Sequence, residues 1–445
     1  MDAPATTPWH PDRRWADPLI ALLTLLALLA SLSALRVRNR AAARPAERVT
    51  LQGRLAETVL AGPRLLLPGT PQPSPREAAP VKEPWDRALV ALLKADLGAT
   101  AADAGAWIEA AAPPGRAGDT FRRACLAALG RGPLPTPEER RDLHHRLGDG
   151  YGADLLEARL RDRDGSGGDA LRARARSALL GRLAGVGALG LAFVLATVAG
   201  LGVGLYLVLR VDKAPPPALP AWGLSGRAAA LVLLGWFLGF FVSSQAAALL
   251  VLPFPRLRWL AVPLAYALHA GFGTWLLARA EGLDLRALWR RVVPGRPGRD
   301  LAWVPGFLAL AVALVVGAAA LSGLVFRPET NPQRDLQELL RGASGWGAGL
   351  ALFVTVAVLA PCFEELLFRG FLLPVLARRR HLALALGMSS LLFGFIHLQP
   401  AGLPILGTLG LALGFATVHT GSLRTPILVH ACWNGSLFLL MRAFA

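Results

Sequence analysis

The apolar runs decide first what this chain can fold into. Uncharged or nearly uncharged stretches of about 18 to 26 residues recur along it, each long enough to cross a hydrocarbon core of roughly 30 Å as a helix. The first is Pro18–Leu35, and others follow at approximately 183–209, 228–252, 260–278, 301–325, 346–376, 382–398, 403–418 and 426–444. The expectation is an all-α polytopic transmembrane bundle of about 8–9 spans. Charged residues make up only 17% of the chain, against about 25% in an ordinary soluble domain, so a large water-solvated globule is excluded.

A formal net charge of +17 would suggest nucleic acid in a soluble protein. Here the arginines cluster in loops beside apolar runs, where the cytoplasmic side favours them, and no basic-aromatic interleaving accompanies them. The partners expected are therefore a lipid bilayer and a peptide or membrane-protein substrate, and no nucleic acid. Lysine occurs only as Lys82, Lys94 and Lys213, an arginine bias that points to a GC-rich, bacterial source and a multi-pass inner (plasma) membrane location. Cys125, Cys362 and Cys432 are too few and too uneven for a disulfide framework.

Four segments follow. Residues 1–35 are a polar tail and a first apolar helix that could be a cleaved leader or a signal anchor, and is read as a retained transmembrane helix. Residues 36–182 read as an extramembrane domain: a linker with Pro63, Pro68, Pro71, Pro73, Pro75, Pro80 and Pro84 that should not pack as helix, then short amphipathic helices such as Asp86–Asp96 and Pro137–Arg146. Thr136 and Glu139 have the spacing of a capping box at the start of the second. Residues 183–325 carry further spans, and residues 345–445 the last group. The arginines of loop 279–299 and the triplet Arg378–Arg380 put both on the cytoplasmic side. Loop 327–344, the 36–182 domain and the N-terminus then count as outside, outside and inside.

One run does not read as lipid-facing filler. Residues 346–376 would make a helix of about 46 Å, longer than the core is thick. Pro361 in its middle should kink or break it. Glu364, Glu365 and Arg369 follow directly, each costing on the order of 2.5–3.5 kcal/mol at bilayer depth. Glu365 and Arg369 are spaced to pair along one helix face, while Glu364 is rotated by about 100° and has no such partner. A solvated helix end at the interface is the plainer explanation of the trio. Two later spans argue against it. One ends in Phe393-Gly-Phe-Ile-His397; the last holds His430 and Asn434 on one face. Intramembrane ionisable residues mark functional sites. His269 and His419 stand apart from this set and read as packing residues.

Glu364-Glu365-x-x-x-Arg369, Phe393-x-x-x-His397 and His430-x-x-x-Asn434 resemble, in order, the three signatures of the CAAX protease and bacteriocin-processing family, which includes the type II CAAX prenyl endopeptidases. The resemblance covers roughly residues 345–445. It implies an intramembrane endopeptidase in which Glu364 acts with His397 to activate a water. In that scheme His430 and Asn434 donate hydrogen bonds to the developing oxyanion, and Glu365 and Arg369 hold the geometry. Three rivals stand beside it. Glu364, His397 and His430 could ligate zinc, although the metal-free scheme with no cofactor is favoured because no His-Glu-x-x-His helix is present. Cys362 could be a nucleophile, although an apolar helix disfavours its thiolate. A membrane scaffold or immunity protein could keep the polar cluster for packing alone.

Overall fold

A computed structural model describes residues 8–42, 49–66, 83–96, 101–148, 150–210, 219–294, 297–325, 345–378 and 380–444. Among them every regular element is helical. The prolines expected between 68 and 80, and loop 327–344, lie outside the described residues. Among the described residues seven helices are long and apolar enough to span a membrane. Within lipid only a helix satisfies its backbone polar groups inside its own segment, and that requirement selects this architecture.

The chain divides into two compact units, Met1–Ala41 with Phe193–Ala443, and Ala42–Ala192 with Phe444–Ala445. The first contains α1 (Arg13–Ala42), the later part of α8 (Asp169–Arg210), α9 (Gly226–Val251), α10 (Ala261–Glu281), α11 (Leu285–Val292), α12 (Pro297–Ala302) and α13 (Val304–Val325). It continues with α14 (Trp346–Ala377), α15 (Leu382–Phe395), α16 (Leu403–Thr420) and α17 (Arg424–Phe444). Only α15, at 14 residues, and α17 fall outside the seven spans although both were read as such from sequence. The polar residues that dilute α17 are His430, Asn434 and Arg442. Leu189, Leu191, Val194, Leu195 and Leu201 on α8 are exposed, as lipid-facing residues must be. Where α8 meets α13 it does so through Gly200, whose Cβ position would fall 2.1 Å from the Ala309 carbonyl oxygen. Small residues let membrane helices approach this closely.

Several loop residues meet at one end of this unit. Arg291 Nη1 donates to Glu281 Oε1 at 2.6 Å, and Arg378 donates to the Trp222 carbonyl. The Leu423 and Trp9 backbone N–H groups bond the carbonyls of Val292 (3.1 Å) and Ala280 (2.9 Å). Counting spans from the Arg-rich loops puts these same segments together.

The second unit holds α2 (Leu51–Leu66), α3 (Pro84–Asp96), α4 (Ala101–Ala111), α5 (Arg116–Ala128), α6 (Pro137–Leu147), α7 (Tyr151–Asp164) and the start of α8. Its core is built from Trp85, Leu89, Leu93, Phe121, Leu143, Leu156 and their neighbours. Pro63, expected in the linker, instead falls within the last turn of α2. The capping box closes as expected, with Glu139 N–H donating to Thr136 Oγ1 (3.3 Å) and Thr136 N–H to Glu139 Oε2 (2.9 Å). Glu57 is fully buried between Arg54 (3.2 Å) and Arg182 (3.1 Å), which supply the charge its burial demands.

Proline does not break α14. The helix runs unbroken for 32 residues and widens twice, into π turns at Thr355–Leu359 and Leu366–Leu372. Each π turn lies directly before a proline, Pro361 and Pro374. A π turn shifts hydrogen bonding from i→i−4 to i→i−5, as when Ala360 N–H reaches Thr355 and Leu373 N–H reaches Phe368. The wider turn makes room for the ring against the preceding turn, and the helix continues through the proline.

Candidate active site

Glu364 and Glu365 sit on the short α-helical stretch between the two π turns. From Ala377 at the helix end, Glu364 is about 20 Å along the axis. Both carboxylates are buried, with Glu364 5% and Glu365 0% exposed, so the trio is not a solvated helix end. Their rotation by about 100° sends them to different neighbours.

Glu365 faces Arg369 and α17. Its Oε1 accepts from Arg369 Nη1 at 2.9 Å and from His430 Nδ1 at 2.8 Å. A carboxylate only accepts, so the His430 proton at this contact is on Nδ1, and Nε2 points away toward Glu364 Oε2 at 3.9 Å. Arg369 is 1% exposed, its Nη2 donates to the Gly410 carbonyl at 2.8 Å, and its Cζ lies 4.5 Å from the centre of the Phe393 ring. Gly410 permits this approach: a Cβ there would stand 3.1 Å from Arg369 Nη2. The arginine thus spans three helices, α14, α15 and α16.

Phe393 is the hub of the site. Its ring packs edge-on against His397 (5.2 Å between centres) and His430 (5.6 Å), while Phe368 packs on it at 5.4 Å. His397 lies just past the end of α15, not within it, and its Nδ1 donates to the Phe393 carbonyl at 2.8 Å. That bond puts the lone pair on Nε2. Leu398, the next residue, has a positive φ of 51°, a conformation uncommon for a residue with a side chain and often found beside functional groups.

Asn434 is half-buried, and its Nδ2 donates to the Val356 carbonyl at 3.0 Å. The choice of carbonyl has a cause. In the i→i−5 register of the first π turn, Val356 would take its hydrogen from residue 361, which is proline and has none. Asn434 supplies the missing donor, a substitution typical of Pro-containing membrane helices. One amide hydrogen on Nδ2 remains for another acceptor.

Glu364 was expected to lack a partner, and here the structure corrects the expectation. Tyr266 on α10 donates its hydroxyl to Glu364 Oε1 at 2.9 Å. Sequence spacing within one helix could not reveal a contact 98 residues distant. Of the two isolated histidines, His269 is buried among Trp236, Phe240 and Phe363, and His419 packs on Trp303 at 4.3 Å, both as packing residues do. Cys362 is half-buried. Among the described residues no three His, Cys, Asp or Glu side chains are grouped to hold a metal ion.

No curated protein and no solved structure matches the chain. A family model does match, over residues 346–436, and that segment contains all six polar residues of the three motifs. The family is described as type II CAAX prenyl endopeptidase Rce1-like, and the motif resemblance to the CAAX proteases holds for this segment of the chain.

Proposed function

We propose that this protein is an intramembrane endopeptidase that hydrolyses a peptide bond with a glutamate-activated water. The observation that carries the reading is the convergence of α14, α15 and α17 on one buried cluster of side chains, with Glu364 Oε2 and His430 Nε2 facing each other at 3.9 Å. That separation exceeds a direct hydrogen bond but lets one water lie within hydrogen-bond reach of both atoms.

Glu364 Oε2 takes one proton from this water as its oxygen adds to the scissile carbonyl carbon. His430 carries its ring proton on Nδ1 toward Glu365, so its Nε2 cannot donate to the oxyanion as the resemblance implies and instead accepts a hydrogen bond from the second water proton. Glu365 fixes that imidazole through Nδ1, as carboxylates orient catalytic histidines elsewhere. His397, whose ring packs on the same Phe393 as His430, assists Glu364 in activating the water through Nε2. The remaining Asn434 amide hydrogen donates to the oxyanion, where one preorganised donor is worth about 2.7–4 kcal/mol of barrier. Glu364 then returns its proton to the leaving nitrogen as the C–N bond breaks. Arg369 touches none of the reacting atoms and holds Glu365 in place.

The substrate is a membrane protein or lipid-anchored peptide that presents an extended segment at the depth of Glu364. The family description names its members type II CAAX prenyl endopeptidases. Comparison of peptides released from membrane fractions of wild-type and Glu364→Gln cells tests the reading. Peptides that disappear from the variant, at an equal level of folded protein, identify the substrate. An unchanged peptide set favours a scaffold that keeps the cluster for packing.

A further inference from the structure

We infer that Tyr266 is a positioning residue for the hydrolytic carboxylate, so that the working site extends beyond the family segment to α10. The inference rests on the protease reading above and adds to it a residue outside positions 346–436.

Glu364 has two oxygens in different situations. Oε1 accepts the Tyr266 hydroxyl at 2.9 Å, and Oε2 faces His430 Nε2 at 3.9 Å. A phenol hydroxyl has one proton to donate, and a carboxylate oxygen can only accept it. The bond therefore fixes the rotation of the carboxylate about its terminal bond, a torsion that is otherwise broad. With Oε1 held, Oε2 is the oxygen directed at the imidazole and at the water between them.

The helix that carries Tyr266 is itself held in register against α14. One turn on from Tyr266, His269 packs edge-on against Phe363 at 5.4 Å. Phe363 is the residue before Glu364, so two successive α14 residues meet two α10 residues three apart. Trp236 on α9 closes the same contact, 6.0 Å from Phe363 and 5.1 Å from His269 between ring centres. Gly273 makes room for it: a Cβ there would fall 2.5 Å from Phe363 Cζ and 2.6 Å from Trp236 Cδ1. A hydroxyl delivered by a helix so locked keeps one position, which is what orienting a base to fractions of an ångström requires.

The hydrogen bond persists when Oε2 gains a proton, so Tyr266 acts on the geometry of proton transfer and not on substrate affinity. Removing it by Tyr266→Phe is expected to lower kcat by about 10- to 100-fold with KM changed less than about twofold. The experiment compares full-length wild type, Tyr266→Phe and Glu364→Gln in lipid nanodiscs, on a peptide spanning the cleavage site mapped by the membrane-fraction comparison. Two further variants replace Tyr266 by 4-aminophenylalanine, which keeps a donor at the same place, and by 4-methylphenylalanine, which matches the volume without one. Recovery of kcat by the amino but not the methyl side chain supports the inference, and it decides the question even if Tyr266→Phe folds poorly. Wild-type kcat in Tyr266→Phe or in the methyl variant, with Glu364→Gln inactive, overturns the role of Tyr266 and leaves the protease reading standing. Undiminished cleavage by Glu364→Gln overturns both.

Discussion

Substituting Arg369 by alanine should destabilise the membrane unit far more than loss of a surface charge would. The guanidinium is 1% exposed and its partner Glu365 is 0% exposed, so neither charge draws on bulk water. One Nη atom serves Glu365 at 2.9 Å, the other the Gly410 carbonyl at 2.8 Å, and the cation lies over the Phe393 ring at 4.5 Å. Removing one partner of such a buried pair strands the other charge, which costs about 3–5 kcal/mol. An exposed pair would lose about 0–1 kcal/mol. Glu365→Ala should cost a similar amount for the mirror reason. The double variant removes both charges and leaves a buried His430 N–H to find another acceptor. Its loss should therefore fall short of the sum of the singles by about 2–3 kcal/mol. Unfolding by titrating a denaturing detergent into mixed micelles gives all three values. A loss below about 1 kcal/mol for Arg369→Ala would mean that the trio is solvated, and the buried-site reasoning would fail.

Three other outcomes follow from particular contacts. Asn434→Leu should cost about 1–3 kcal/mol in a Pro361-containing chain but much less in a Pro361→Ala background, where residue 361 regains an N–H for the carbonyl; equal costs in both backgrounds, read from the same unfolding titration, would refute the capping role. Gly273→Ala should destabilise by about 1–3 kcal/mol and slow cleavage, because the new methyl displaces Phe363 beside Glu364; an unaffected rate would show that this contact does not set the position of the carboxylate. In the second unit, Thr136→Ala should loosen α6 by about 1 kcal/mol, seen as lost amide-exchange protection over residues 137–147 at neutral pH. The Thr136 backbone N–H, together with Arg123, holds the Glu139 carboxyl below its ordinary value of 4.5. Its contribution is accordingly complete above that pH and should fade as pH drops through the lowered folded value, after correction for intrinsic exchange; a cap that weakens on raising the pH would contradict this sign.

Much of the architecture was legible because lipid leaves few options. Apolar runs of spanning length must be helices, and the alternation of Arg-rich loops anticipated which ends meet. The Glu365–Arg369 pair was legible because both residues share one helix, where spacing fixes proximity. Phe393 was visible as a motif position, yet its role as the surface that both imidazoles and the guanidinium share depends on how α14, α15 and α17 pack. Tyr266 gave no local signal at all, since its contact is set by the packing of α10 on α14. Pro361 does not break the helix, for a physical reason. The rule that proline breaks a helix assumes a fixed i→i−4 ladder, whereas α14 widens into a π turn before the ring and borrows a donor from Asn434.

The central claim is that Glu364 activates a water for peptide-bond cleavage inside the bundle. Its most direct test is cleavage by the purified full-length protein in lipid nanodiscs, run in oxygen-18 water, with mass spectrometry of the new carboxyl terminus. Wild type should place the heavy isotope in that carboxylate, and Glu364→Gln, with the same unfolding profile, should generate no new terminus. Labelled product from Glu364→Gln at the wild-type rate would contradict the account.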